Sequence, residues 1–262
     1  MGRLDGRVAI ITGAGQGIGR GVAHRYVTEG AAVVVAERNP ETGAAVEEEL
    51  RRRGGRARFV PTDVLDASQV TDMVDATLEH FGHVDILVNN AYAAGPPDRL
   101  ERKPATDLDL AFRGGPVHTY RAMQAVFPHF KAQRWGRVIN FVSLNGVNAH
   151  MYSADYNAAK EAIRAITRTA AREWARHNIL VNAIAPAAAS PAYVSFAEAA
   201  PENAREMLKQ NPIGRMGDPE HDIGGVALFL ASDDSDYVTG NTIFADGGSH
   251  INGVQWDPPM SD

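Results

Sequence analysis

Short apolar runs rich in β-branched residues alternate with helix-period segments along the whole 262-residue chain, and this alternation restricts the fold more than any other feature. RVAIIT (7–12), AAVVVA (31–36), ARFVPT (57–62), VDILVN (84–89), GRVINFVS (136–143), ILVNAI (179–184) and NTIFAD (241–246) read as strands. Most lack strict alternation, as expected of strands covered on both faces. Helical periodicity falls at 17–30, 40–54, 66–81, 105–133, 154–177 and 218–231. The pattern predicts an α/β fold: a doubly wound parallel sheet of about seven strands, with right-handed crossovers laying helices on both faces. No repeat or linker interrupts it, so 1–262 reads as a single domain. The stretch 186–212 is too long for an ordinary helix-to-strand connection, and 187–212 is expected to be a substrate loop.

Several classes of function are excluded early. The chain has no cysteine, which rules out disulfides, thiolate metal sites and cysteine nucleophiles. Its net charge of −6 argues against nucleic acid or an anionic membrane as the main partner. Arg51, Arg52 and Arg53 form the one basic cluster and read as a solvated helix end. The opening MGRLDGRVAI has no signal-peptide core and no Ser or Thr at position 6 for myristoylation, and nowhere do 18 apolar residues run together, so a soluble cytoplasmic protein is expected. The nine histidines show no metal-binding spacing. His80 and His83 flank a helix end as a cap and a surface residue, and no metal is expected.

TGAGQGIG (12–19) follows the first strand and opens a helix. Gly13, Gly17 and Gly19 suit an unusual turn, close backbone approach to a pyrophosphate and tight helix–strand packing. The amides after Gln16, at Gly17 and Ile18, would face the phosphates, with the helix dipole favouring negative charge. A glycine turn that binds nothing would look the same in isolation, but the strand–turn–helix context favours dinucleotide binding. Glu37, at the end of the second strand, can accept from both adenosine ribose hydroxyls and repels a 2′-phosphate, which selects NAD. Arg38 could instead pair with that phosphate, so NADP stays open, as does a simple solvated Glu–Arg pair.

YNAAK (156–160) puts Tyr156 and Lys160 on one helix face. Taken alone, the spacing fits a core tyrosine beside a solvated lysine. Ser143, at the end of the fifth strand, alters that reading, because open α/β sheets bind ligands at the carboxyl ends of their strands. A tyrosine with a pKa of about 10 is a poor base at neutral pH. A neighbouring lysine cation and a positive nicotinamide ring would both stabilise its phenolate. Lys160 could do this while holding the nicotinamide ribose, with Ser143 orienting a substrate oxygen.

These residues, with TDV (62–64), NNA (89–91), VNAIAP (181–186) and the stretch from GRMGDPE to FADGG, resemble the short-chain dehydrogenase/reductase family over essentially the whole chain. The resemblance implies a Rossmann-type domain with Ser143, Tyr156 and Lys160 as catalytic residues. Asp63 and Val64 would flank the adenine, Asn90 and Ala91 would hold the cofactor, and Pro186 and Ala189 would border the nicotinamide. It also implies a homotetramer, with helices near 116–133 and 155–177 pairing across one interface.

Three departures stand out. Tyr92 replaces the family's glycine after NNA, and its ring is expected to lean over the nicotinamide or the substrate entrance, or to be a surface aromatic. Gly115 falls where the family carries an asparagine that organises a relay water. Within FRGGPVHTY, a helix break near 113–115 and a fresh start with Pro116 in the first turn are expected. The break would free the Gly115 carbonyl to hold the water. PAAASP (186–191) puts Ala187 and Pro191 in place of a glycine and a threonine, with Ser190 as a substitute for the latter.

Tyr92, Asn145, His150 and Tyr193 are the candidate substrate residues. Met151, Tyr152, Phe196 and Met207 add apolar surface, and no arginine pair awaits a charged group. The expected activity is NAD(P)-dependent interconversion of a secondary alcohol and a ketone on a largely apolar small molecule. Two alternatives remain: an NADPH-dependent 3-oxoacyl thioester reductase, and a non-catalytic cofactor-binding regulatory protein. The tail INGVQWDPPMSD, with Trp256, would cover a neighbouring subunit or fray.

Overall fold

A computed structural model describes residues 2–251. The expected tail contact, with Trp256, lies outside them.

β-branched and other apolar side chains, buried in the five inner strands and only partly so in the edge strands β3 and β7, make β1 (Val8–Thr12), β2 (Ala32–Glu37), β3 (Arg56–Pro61), β4 (Ile86–Asn89), β5 (Gly136–Phe141), β6 (Ile179–Pro186) and β7 (Thr242–Ala245). They form one parallel sheet in the order β3-β2-β1-β4-β5-β6-β7. β1 pairs β2 on one side (Ile10 with Val34) and β4 on the other (Ile10 with Leu87), so the strand order reverses there and opens a crevice at the carboxyl ends.

Alternate residues of each strand serve opposite layers. Ile11, Val33, Val35 and Val88 pack under α1 (Gly17–Thr28), α2 (Pro40–Arg52) and α10 (Gly224–Ala231). Ile10, Val34, Leu87 and Val138 pack under α3 (Ala67–Phe81), α5 (His118–Gln133) and α7 (Ala154–Trp174). Each fully buried side chain of this size contributes about 1.5–3 kcal/mol.

Local chemistry sets the helix ends. Asn39 caps α2 by accepting from the Glu41 amide at 2.9 Å, with Pro40 in the first turn. Gly82 closes α3 at a φ of 83°. α1 differs: Gln16 offers no side-chain cap and the first turn holds no acid, so its leading amides face the crevice. Arg51, Arg52 and Arg53 at the end of α2 pair with Glu47, Glu48 and Glu220.

Two expectations are corrected. The chain does not break near 113–115 or restart at Pro116. α4 (Ala105–Phe112) runs through a π turn, Arg113–Val117, into α5 with helical backbone angles at Phe112, Val117 and His118. The wider π turn accommodates a ring that clashes in an α-helix, so Pro116 is tolerated in the interior. The Gly115 carbonyl is therefore not freed by a break; it accepts from the His118 amide. The segment 187–212 is not an irregular loop either. It folds into α8 (Pro191–Ala199), capped by Ser190, and α9 (Pro201–Lys209). Two prolines at first-turn positions start these helices, and the alanine-rich composition favours them.

Candidate active site

The crevice is built first by glycine. Gly13 has a φ of 63°, and a Cβ on it would meet the Ala91 Cα at 3.0 Å. Gly17 has a φ of 54°, and a Cβ there would meet the Pro191 ring at 3.0 Å. Gly19 sits behind the turn, where a Cβ would drive into the Gly13 carbonyl. The glycines thus leave backbone amides bare at the start of α1, as a pyrophosphate requires.

Thr12 and Asn90 lock this turn to β4. The Asn90 side-chain amide donates to the Thr12 and Gly13 carbonyls at 2.9 and 3.0 Å. Thr12 Oγ1 accepts from the Asn90 and Ala91 amides at 3.0 and 3.1 Å. Asn90 therefore shapes the cradle rather than reaching out of it. Thr12 was not among the expected site residues, although its place immediately before the glycine turn was the available signal.

A groove of about 460 Å³ runs along the crevice past Gln16, Gly17, Ile18, Glu37, Arg38, Asp63, Val64 and Ala91. Ser190 and Pro191 close it from the β6 side. Pro186 and Ala189 are not part of this lining; the Ala189 amide donates to Gly217 instead. Glu37 receives the Gly15 amide at 3.1 Å and the Asn39 amide at 3.0 Å, one on each carboxylate oxygen. It makes no pair with Arg38 among the described residues. The open α1 amides at one end and this carboxylate at the other fit a nicotinamide dinucleotide.

At the carboxyl ends of β5 and β4 three expected residues come together. Ser143, almost fully buried, accepts from the Asn145 amide at 3.1 Å and so caps α6 (Leu144–Val147). Burial pushes the Tyr156 pKa up, and the neighbouring Ser143 hydroxyl pulls against that. Lys160, one turn on, is buried and donates to the Phe141 carbonyl at 2.9 Å. Burial drives its pKa down from 10.5 to about 8, so at neutral pH it stays charged close to its titration range.

Tyr92 does not sit as a surface aromatic. Its half-buried ring turns inward to the Tyr156 ring, 4.9 Å between centroids, and beneath the Lys160 ammonium. Two further residues close the centre. His118 donates from Nε2 to the Ala91 carbonyl at 3.0 Å, and burial, aided by the Lys160 charge, holds its pKa near 4, so the ring is neutral. Lys103 reaches Asp155 at 2.9 Å and Asp107 at 3.2 Å. Sequence reasoning missed both.

The remaining substrate candidates lie on neighbouring segments. The Asn145 carbonyl receives the His150 amide at 2.9 Å; His150 itself is exposed and pairs with Ser153. Ala149 and Tyr152 hold left-handed φ values of 51° and 68°, so the loop entering α7 carries strain beside the site. Tyr193 stands on α8 with Phe196 at 6.5 Å. His83 contacts Gly6 and Phe81 carbonyls, and no metal-binding cluster occurs among the described residues.

The family model described as enoyl-(acyl carrier protein) reductase matches residues 13–250. A 12alpha-hydroxysteroid dehydrogenase of Clostridium sp. is 37% identical over 255 residues, covering 95% of this chain and 98% of that protein. A 3-oxoacyl-(acyl-carrier-protein) reductase of Thermotoga maritima is 35% identical over 247 residues, covering 94% and 98%. Among solved structures, a 7 alpha-hydroxysteroid dehydrogenase complexed with NADH and 7-oxo glycochenodeoxycholic acid superposes with a TM-score of 0.89 at 34% identity, covering 94% of this chain and 95% of that one.

Proposed function

The chain belongs to the short-chain dehydrogenase/reductase family, an NAD(P)-dependent alcohol/ketone oxidoreductase, and from that premise we propose how its residues divide the work. The observation that carries the reading is Ser143 and Tyr156 set beside each other with a buried Lys160 one turn away, beside the glycine cradle. When bound, the nicotinamide dinucleotide supplies the hydride acceptor or donor. Tyr156 takes or gives the proton at the substrate oxygen, Ser143 orients that oxygen, and the Lys160 cation brings the phenolate into working range. Gly13, Gln16, Gly17, Ile18, Glu37, Asp63, Val64 and Ala91 line the cofactor site, with Gly19 and Asn90 supporting it from behind.

NAD is the preferred cofactor, because a 2′-phosphate would have to approach the Glu37 carboxylate. The substrate is a largely apolar secondary alcohol or its ketone. Leu100, Met151, Tyr152, Phe196 and Met207 stand exposed on segments that follow the carboxyl ends of β4, β5 and β6. Such a rim suits a rigid polycyclic alcohol, and the similarity to hydroxysteroid dehydrogenases is a reason to test that class first. The whole chain acts as a single domain, with α8 and α9 over the substrate. An apolar groove between α5 and α7, lined by Tyr120, Met123, Phe127, Ile166 and Trp174, supports a homotetramer. A cytoplasmic location goes with this reading; no described helix is long and apolar enough to cross a membrane.

Turnover of hydroxysteroids, cyclic alcohols and 3-oxoacyl thioesters with NAD(H) and NADP(H), with Tyr156→Phe as control, tests the proposal. NAD-linked oxidation lost in Tyr156→Phe supports it. Exposed Arg38 and the acyl-carrier-protein reductase relative favour one rival, which preference for NADPH and a thioester would establish.

A further inference from the structure

Tyr92 leaves β4 with its ring pointing into the protein. It meets the Tyr156 ring edge to face, at an interplanar angle of 87°. The Lys160 ammonium lies 4.6 Å from the Tyr92 ring centroid and 5.7 Å from that of Tyr156. On its other side is Gly115 of the π turn. A Cβ on Gly115 would meet Tyr92 Cε2 at 3.1 Å and the Ala159 methyl at 3.5 Å. The ring occupies the volume that any side chain at position 115 would claim.

Lys160 needs such a neighbour. It is 4% exposed, donates to the Phe141 carbonyl, and makes no ion pair among the described residues. A buried cation without a counter-ion loses its hydration and depends on electron-rich surfaces. The face of an aromatic ring is one. The Tyr92 hydroxyl finds no hydrogen-bond partner among the described residues although it is buried, so the ring rather than the hydroxyl accounts for the placement.

We propose that Tyr92 is a positioning residue of the proton-transfer pair: its ring, seated on Gly115, keeps the Lys160 ammonium charged and fixes the Tyr156 ring. The inference rests on reading Tyr156 and Lys160 as that pair. The other titratable groups facing this centre are few. His118, from α5, is neutral at pH 7, and Asp155, at the start of α7, is paired with Lys103. Neither His118 nor Asp155 supplies Lys160 with a direct counter-charge.

Two substitutions separate ring from volume. Tyr92→Phe keeps the π-face. Tyr92→Leu removes it yet still fills much of the space and keeps water out. Without the π-face the lysine sheds its charge more readily, so the Tyr156 phenolate forms at higher pH. An ultraviolet difference titration, each protein against its own Tyr156→Phe counterpart, reads that ionisation without turnover. The expected result is a rise of about half to one pH unit in Tyr92→Leu and wild-type behaviour in Tyr92→Phe. The acid limb of alcohol oxidation should move by the same amount. Gly115→Ala should lower kcat about 3- to 10-fold beside Tyr92, because the ring must give way, but much less in the Tyr92→Leu background.

An unmoved titration in Tyr92→Leu, even with lower stability or turnover, would make Tyr92 a packing residue and overturn the proposal. An equal shift in Tyr92→Phe would overturn it too. Failure of the catalytic reading appears separately, as activity surviving in Tyr156→Phe or as no turnover at all, while the titration still reports on Tyr92.

Discussion

Lys103 donates to the carboxylate of Asp155, the residue immediately before Tyr156, at 2.9 Å. The same ammonium reaches Asp107 at 3.2 Å and the Pro96 carbonyl at 2.7 Å. The segment after β4, the start of α4 and the first turn of α7 are thereby tied at one point.

Lys103→Met should loosen that tie. Two carboxylates lose their cation, and the cost is about 1–3 kcal/mol. Because the loss falls at the end of the helix that presents Tyr156, kcat should drop more than dinucleotide affinity. Urea unfolding and steady-state kinetics on one preparation check this; wild-type stability would contradict it.

Lys160→Met should stabilise the protein while removing its activity. In the fold this lysine titrates near 8 and in the unfolded chain near 10.5. Between those values the unfolded chain holds a proton that the folded chain has released. The burial penalty is therefore full below about pH 8 and gone above 10.5, and wild-type stability gains with rising pH across that window. The variant should gain up to about 3 kcal/mol at pH 7 and little at pH 10.5. Denaturant midpoints across that range would read the trend, and an equal gain at both ends would refute it.

Glu37→Ser should shift cofactor choice. The carboxylate that faces a 2′-phosphate is gone, and Arg38 stands exposed at the same end of the groove. The ratio of kcat/KM for NADP⁺ over NAD⁺ should rise by at least about tenfold, a change of roughly 1.4 kcal/mol. The Gly15 and Asn39 amides also lose their acceptor, so absolute affinity for NAD⁺ should fall as well.

Gly19→Ala should disturb the cradle from behind. Its Cβ would press on the Gly13 carbonyl and on the Asn90 amide that braces it. Overpacking of this kind costs about 1–3 kcal/mol. Dinucleotide affinity, followed by quenching of tryptophan fluorescence, should weaken more than stability does; unchanged affinity would show that the turn yields freely.

The sheet was legible because its strands are apolar on both faces, and the crevice because Gly13, Gly17 and Glu37 carry their meaning in local spacing. Ser143, Tyr156 and Lys160 are close enough along the chain for helix and strand geometry to bring them together. Lys103 and Asp155, 52 residues apart, meet only through tertiary packing, and no periodicity announces them. His118 looked like any helix residue until burial made it neutral. The π turn was missed because Gly-Gly-Pro weighs against a helix locally, whereas packing around Gly114 and Gly115 keeps the backbone wound. Propensity lost to tertiary context there, whereas across α8 and α9 propensity and structure agree.

That π turn also acts as a phase shifter. A straight α-helix from 105 to 133 would have one fixed angular register from end to end. The extra residue stored at 113–117 offsets α4 from α5 by about 100°. One continuous rod can therefore present α5 to the sheet while α4 sets Lys103 and Asp107 against Asp155 of α7. Deleting a single residue from the turn would bring the two halves back into step, and in doing so would swing Lys103 and Asp107 together off Asp155 and carry Gly115 out from under Tyr92.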